Sequence, residues 1–238
     1  MKLYDGIIKE VMALTEGKHI TQMDVQKSHW PMVEDNRMIL RSDMAYELGA
    51  QKYYGLGATL LTSDKDLLPE NFVRVIGCDL SEIKEDHNYA RITIVRVKEE
   101  GMGEGNALYS AIRNLEYTRY HFYPEGFMMR VSSSQNKESV RISKDAIKQK
   151  ISFADTGNRM IEAFFEHKLV EAVGIYYVTD SEFDYKSFEK LTKQGEDITR
   201  TIDHILKDVK MDCNICNLQE ICSEVEGLRE LHFANSTQ

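Results

Sequence analysis

The sequence predicts an α+β domain: a largely antiparallel, partly mixed sheet covered by helices, with a cysteine-containing C-terminal segment. Two alternating runs, Phe72-Val-Arg-Val-Ile76 and Tyr89-Ala-Arg-Ile-Thr-Ile-Val-Arg-Val97, have the β-branched character of strands. Between and after them come segments with apolar residues at threes and fours, the helical spacing, in no strict strand–helix order. With 42% hydrophobic residues and 3 prolines in 238, the chain can bury a substantial core.

Leu3 to Glu16 places Ile7, Ile8, Val11, Met12 and Leu14 mostly on one stripe, and Gly17 follows as a C-terminal stop, so a docked amphipathic helix is expected. From His19 to Arg41 periodicity is weak and little regular structure is expected, with Trp30 as the anchor to the body. Arg41 to Thr62, punctuated by Gly49, Gly55 and Gly57, reads as short strands joined by turns. In the two clear strands, Arg74, Arg91, Thr93 and Arg96 alternate with apolar residues, which predicts one core face and one wet face.

After Gly101-Met-Gly-Glu-Gly105, Leu108, Ile112, Leu115 and Arg119 predict a helix to about Tyr120. Phe127–Val131 reads as a strand, Ser143 as the N-cap of a helix, Asn158–His167 as a helix and Val170–Val178 as a strand. Asp184–Val209 is the longest expected helix, carrying Phe188, Leu191, Ile198, Ile202, Ile205 and Leu206. The division predicted is an N-terminal helix and arm (1–40), an α+β body (41–210) and a cysteine tail (211–238).

Charge narrows the function. There are 39 acidic against 30 basic side chains, a formal net charge of -9. Such a field repels nucleic acid and anionic membrane. No apolar run approaches the length of a membrane span and the N-terminus lacks a signal-peptide layout, so the expectation is a soluble cytoplasmic protein.

Three of the four cysteines crowd into Asp212-Cys213-Asn-Ile-Cys216-Asn-Leu-Gln-Glu-Ile-Cys222. Two residues between Cys213 and Cys216 allow both thiolates to face one metal or cluster corner, and Cys222 adds a third ligand. A four-iron cluster is compatible with three cysteines, whereas structural zinc wants a fourth ligand from Cys78, His204 or His232. The bland alternative is three reduced cysteines packed in a C-terminal cap. Cys78 itself, in Ile76-Gly-Cys-Asp79, reads as a small buried hydrophobe.

The Gly101–Gly105 loop is a poor dinucleotide match, and Glu99, Glu100 and Glu104 would oppose an anion there, so it reads as a turn. Arg113, Arg119, Arg130, Arg141 and Lys144 form a basic set suited to gripping phosphates if the fold brings them together. The competing reading is a solvated, salt-paired face. No HExxH occurs and no Ser/His/Asp set can be assembled, so hydrolase chemistry is not indicated.

The order of Arg41-x-x-Met-x-x-Glu-Leu-Gly49, Gly55-Leu-Gly57, Val73-Arg-Val-Ile-Gly77-x-Asp-Leu-Ser-Glu-Ile83, Met129-Arg-Val131, Arg141-Ile-Ser-Lys-Asp145 and Tyr176-Tyr-Val-Thr-Asp180 resembles the first half of the acetyl-CoA decarbonylase/synthase beta subunit. This corresponds to the middle domain of bacterial acetyl-CoA synthase, and the similarity runs from about Arg41 to Cys216. The resemblance implies an α+β fold, a coenzyme-A-binding arginine surface (here Arg113, Arg130 and Arg141) and iron–sulfur ligation by Cys213 and Cys216. An aromatic that the resemblance leads one to expect is replaced by Met128, and the Cys-Gly-Cys nickel motif is absent from these 238 residues. The expectation is an accessory protein of anaerobic one-carbon or corrinoid metabolism, not active alone, holding a 4Fe-4S cluster. Its expected partner is a corrinoid protein, a methyltransferase or a synthase subunit. The alternatives are a zinc-stapled interaction domain and a coenzyme-A-binding acyl-transfer protein.

Overall fold

A computed structural model describes residues 2–34, 37–132 and 137–206, with side chains to residue 202. In chain order the elements are α1 (Asp5–Thr15), β1 (Ile20–Met23), β2 (Met44–Leu48), β3 (Gly55–Thr62), β4 (Phe72–Ile76), β5 (Tyr89–Val97), α2 (Asn106–Tyr117), β6 (Phe127–Ser132), β7 (Lys137–Ser143), α3 (Lys144–Lys148), α4 (Phe153–Phe165), β8 (Val170–Val178) and α5 (Tyr185–Leu206). Short 3-10 turns cover Glu99–Gly101 and Thr118–His121.

The α+β expectation holds, with the strands divided between two sheets. The larger is mixed, in the order β1-β4-β8-β5-β3, with β4/β8 and β3/β5 parallel and β1/β4 and β8/β5 antiparallel. The smaller is antiparallel, β2-β7-β6.

Two long helices cover opposite faces of the larger sheet. A Cβ on Gly157 of α4 would meet Val73, whereas Gly195 of α5 lies over Leu60. Leu60 is in register with Ile94, Gly174 and then Phe72, the neighbour of Val73, and adjacent strand residues point to opposite faces. This corrects the expectation of one wet face. Strand β5, between β8 and β3, is buried along both faces, and Arg91 and Thr93 are fully enclosed.

Local sequence explains most termini. Gly17 takes φ 72 just beyond α1, and the Ser143 side chain accepts the Ala146 N–H to start α3. Helix α4 begins earlier than its periodicity indicates, because Ser152 and Asp155 form a reciprocal capping box. The arm is irregular apart from β1, which adds an edge strand to β4. Trp30 does anchor it, through Nε1–H donated to the Glu125 carbonyl at 2.9 Å.

Candidate anion-binding site

The smaller sheet presents the arginines. Arg141 on β7 is in register with Glu47 on β2 and Met128 on β6, and Arg130 lies two residues beyond Met128. Alternation therefore puts Arg130 and Arg141 on one face as diagonal neighbours around Glu47.

Arg130 Nη1 donates to Glu47 Oε1 at 3.0 Å, and Arg141 Nε stands 3.2 Å from the same oxygen. Arg141 Nη1 also donates to the Ile39 carbonyl at 3.2 Å, which ties the arm to the sheet. The Glu47 backbone N–H donates to Asp86 Oδ1 at 2.7 Å, fixing the strand beneath. The Arg130 side chain is 48% exposed and that of Glu47 only 9%, so the guanidinium is the part open to a ligand. Beside this face a cavity of about 80 Å³ is lined mainly by apolar residues, among them Met38, Ile39, Phe127 and Met128, together with the charged Arg37 and Glu125. Met128 Sδ accepts the Ile39 N–H at 3.3 Å, so the residue standing where an aromatic was expected joins groove and arm.

The other sequence candidates go elsewhere. Arg113 on α2 bonds Glu116 Oε2 and the Tyr117 hydroxyl, each at 2.7 Å, and its guanidinium lies over the Tyr117 ring. Lys144 Nζ donates to the Ser42 carbonyl at 2.7 Å. Arg119 Nη1 lies 3.9 Å from Glu138 Oε2, facing the interior. Cys78 is exposed, contrary to the buried expectation, because the chain leaves the sheet at Gly77 with φ 106. Cys213, Cys216, Cys222 and His232 lie outside the described residues, as does the His204 side chain. Among the described residues no group of three or more His, Cys, Asp or Glu is placed to hold a metal ion.

The glycine loop is a turn, with Gly103 and Gly105 at φ 69 and 54. Glu99 bonds the Ser63 hydroxyl there at 2.8 Å.

A second ion pair, not foreseen from sequence, underlies the first. Glu138, on the inner face of β7, receives Arg91 Nε at 2.7 Å and Nη2 at 2.8 Å, a bidentate pair with Arg91 fully buried. Arg91 Nη1 satisfies the Ala58 carbonyl at 3.2 Å and also bonds the Thr93 hydroxyl. Space for the Glu138 carboxylate exists because residue 57 is glycine, whose Cβ would overlap it. A Cβ on Gly49 would likewise lie 2.6 Å from Gly55 Cα and 2.9 Å from the Glu138 carbonyl. The sheets thus meet at a glycine joint. Burial, reinforced by Glu138, pushes the neighbouring Tyr89 hydroxyl well above its usual pKa. In the sequence, alternation with Val140 and Ile142 is the signal that places Glu138 on their face, and its charge disguises that signal.

These features define a two-sheet α+β domain with an arginine-bearing outer face. The chain belongs to the family of the CO dehydrogenase/acetyl-CoA synthase complex beta subunit, whose model matches residues 25–183. That segment includes Glu47, Arg130 and Arg141 and ends before the cysteine cluster. Comparison with curated proteins returns no match. No helix among the described residues is long and apolar enough to cross a membrane.

Proposed function

We propose that the chain is an accessory acetyl-CoA-synthase-like protein of anaerobic one-carbon metabolism that holds coenzyme A by its phosphates on Arg130 and Arg141. The carrying observation is that two guanidiniums on neighbouring strands share one carboxylate oxygen beside an apolar groove, within the family-matched segment. Guanidinium forks suit phosphate oxygens, and the groove offers apolar contact to the uncharged part of such a ligand. Calorimetric titration with coenzyme A tests this. Binding that weakens with added salt is expected, whereas no heat at millimolar ligand would overturn the reading.

The cysteine spacing favours a second property, an iron–sulfur cluster held through Cys213, Cys216 and Cys222. Three thiols are a suitable soft donor set for iron–sulfur or zinc. Anaerobically purified protein should contain about three to four irons per chain with thiolate-to-iron absorbance. About one zinc per chain and no colour would instead indicate a structural staple in an interaction domain. Membership in a family described as a complex subunit supports a protein partner, with a corrinoid protein, a methyltransferase or a synthase subunit as the candidates to test.

A further inference from the structure

We propose that Glu47 is a built-in counter-ion that competes with phosphate for Arg130 and Arg141, so that the arginine face is partly masked by the protein itself. The inference rests on the anion-binding reading above and adds the residue that sets its strength.

A carboxylate resembles a phosphate edge: it offers negatively charged oxygens to the same guanidinium N–H groups. One Glu47 oxygen lies within 3.0 Å of Arg130 Nη1 and 3.2 Å of Arg141 Nε, the place where a ligand oxygen shared by both arginines would be drawn. At the point of contact two guanidiniums face one carboxylate, with the Asp86 carboxylate behind the strand. Glu47 is also held from behind. Its strand is in register with β7, and its N–H is fixed by Asp86. The nearest other cation on β7, Lys137, donates to the Gln51 carbonyl at 2.9 Å. Asp86 contacts the Glu47 backbone, so Glu47 is the carboxylate that touches both guanidiniums.

A purely aligning role for Glu47 gives the opposite expectation. If the carboxylate served only to hold the arginines in place, weakening it would weaken anion binding. Glu47→Gln separates the two, because the amide keeps the shape and one acceptor oxygen while removing the charge. Removing a unit charge a few ångströms from a bound anion should tighten binding by about tenfold at low salt. Glu47→Asp keeps the charge and shortens its reach, so it should tighten binding by a smaller factor.

The experiment is calorimetric titration of the full chain and both variants with inorganic pyrophosphate at low salt, with thermal melting to establish that each variant is folded. Tighter binding by Glu47→Gln, and to a lesser degree by Glu47→Asp, is the expected result. Binding by the wild type that is equal or weaker in Glu47→Gln overturns the masking role and leaves the arginine grip standing. If Glu47→Gln does not fold, Glu47→Asp decides by the same criterion. No binding by wild type or either folded variant overturns the grip, and the mask with it.

Discussion

The two arginine–glutamate clusters have the same chemistry in opposite surroundings. Arg91 and Glu138 meet in the joint between the sheets with side-chain exposures of 0% and 1%, whereas Arg130 over Glu47 is 48% exposed. Inside, neither partner can exchange the other for water, so the pair fixes how the sheets dock. Outside, Glu47 and the Arg141 Nε are buried but the Arg130 guanidinium is half in water, so its bond to Glu47 competes with solvent and leaves it available to another anion. Strand β7 carries both functions: Glu138 faces inward and Arg141, three residues on, faces outward.

Removing one interior partner should have the largest effect. Glu138→Ala leaves Arg91 buried without a counter-charge and should cost about 3–5 kcal/mol in urea unfolding. Arg91→Met combined with Glu138→Leu removes the bidentate pair and should recover part of that loss, the remainder reflecting Arg119, which loses the carboxylate 3.9 Å from it. A Glu138→Ala loss below about 1 kcal/mol would show that solvent reaches the pair. Gly57→Ala comes next. Its Cβ would overlap the Glu138 carboxylate, and overpacking of this kind costs about 1–3 kcal/mol, measurable as a lowered melting temperature.

A smaller effect should come from Asp79, which accepts the Phe153 and Leu80 N–H groups at 2.7 and 2.8 Å. Burial raises its pKa above the ordinary carboxylate value. The folded state therefore favours the protonated form, a contribution present below the unfolded pKa and lost as pH rises through the folded one. Asp79→Asn should gain stability relative to wild type between about pH 4 and pH 7. Unfolding curves at both ends would show this, and an unchanged difference would contradict it.

Helices α1 and α5 were legible from the spacing of their apolar residues, and strands β4, β5 and β8 from their β-branched and aromatic content. Burial of β5 and β8 on both faces was not, because it has no period to read. Strand β7 was hidden because a buried glutamate occupies an apolar position in Lys137-Glu-Ser-Val-Arg-Ile-Ser143. Strand β1 is short, lies at a sheet edge and carries Thr21 and Gln22, so it lacks a two-sided apolar signal. Arg91 reads as a solvent residue until its partner, 47 residues away, is known. Arg130 and Arg141 were recognisable by type, but their meeting at Glu47 depends on the register of three strands. Arg113 shares their chemistry and sits in a separate cluster with Glu116, which only the placement of α2 reveals.

The most direct test of the central claim, that the outer cluster receives a ligand while the inner one holds the fold, is the Arg130→Ala/Arg141→Ala double variant. It should be titrated with coenzyme A and melted in parallel with wild type. Coenzyme A binding should be lost while stability falls by less than in Glu138→Ala, because Arg130 and Arg141 are 48% and 24% exposed and water can reach the side of Glu47 they vacate, whereas Arg91 is fully enclosed. Retained binding would contradict the claim, as would a collapse of stability comparable to that of Glu138→Ala.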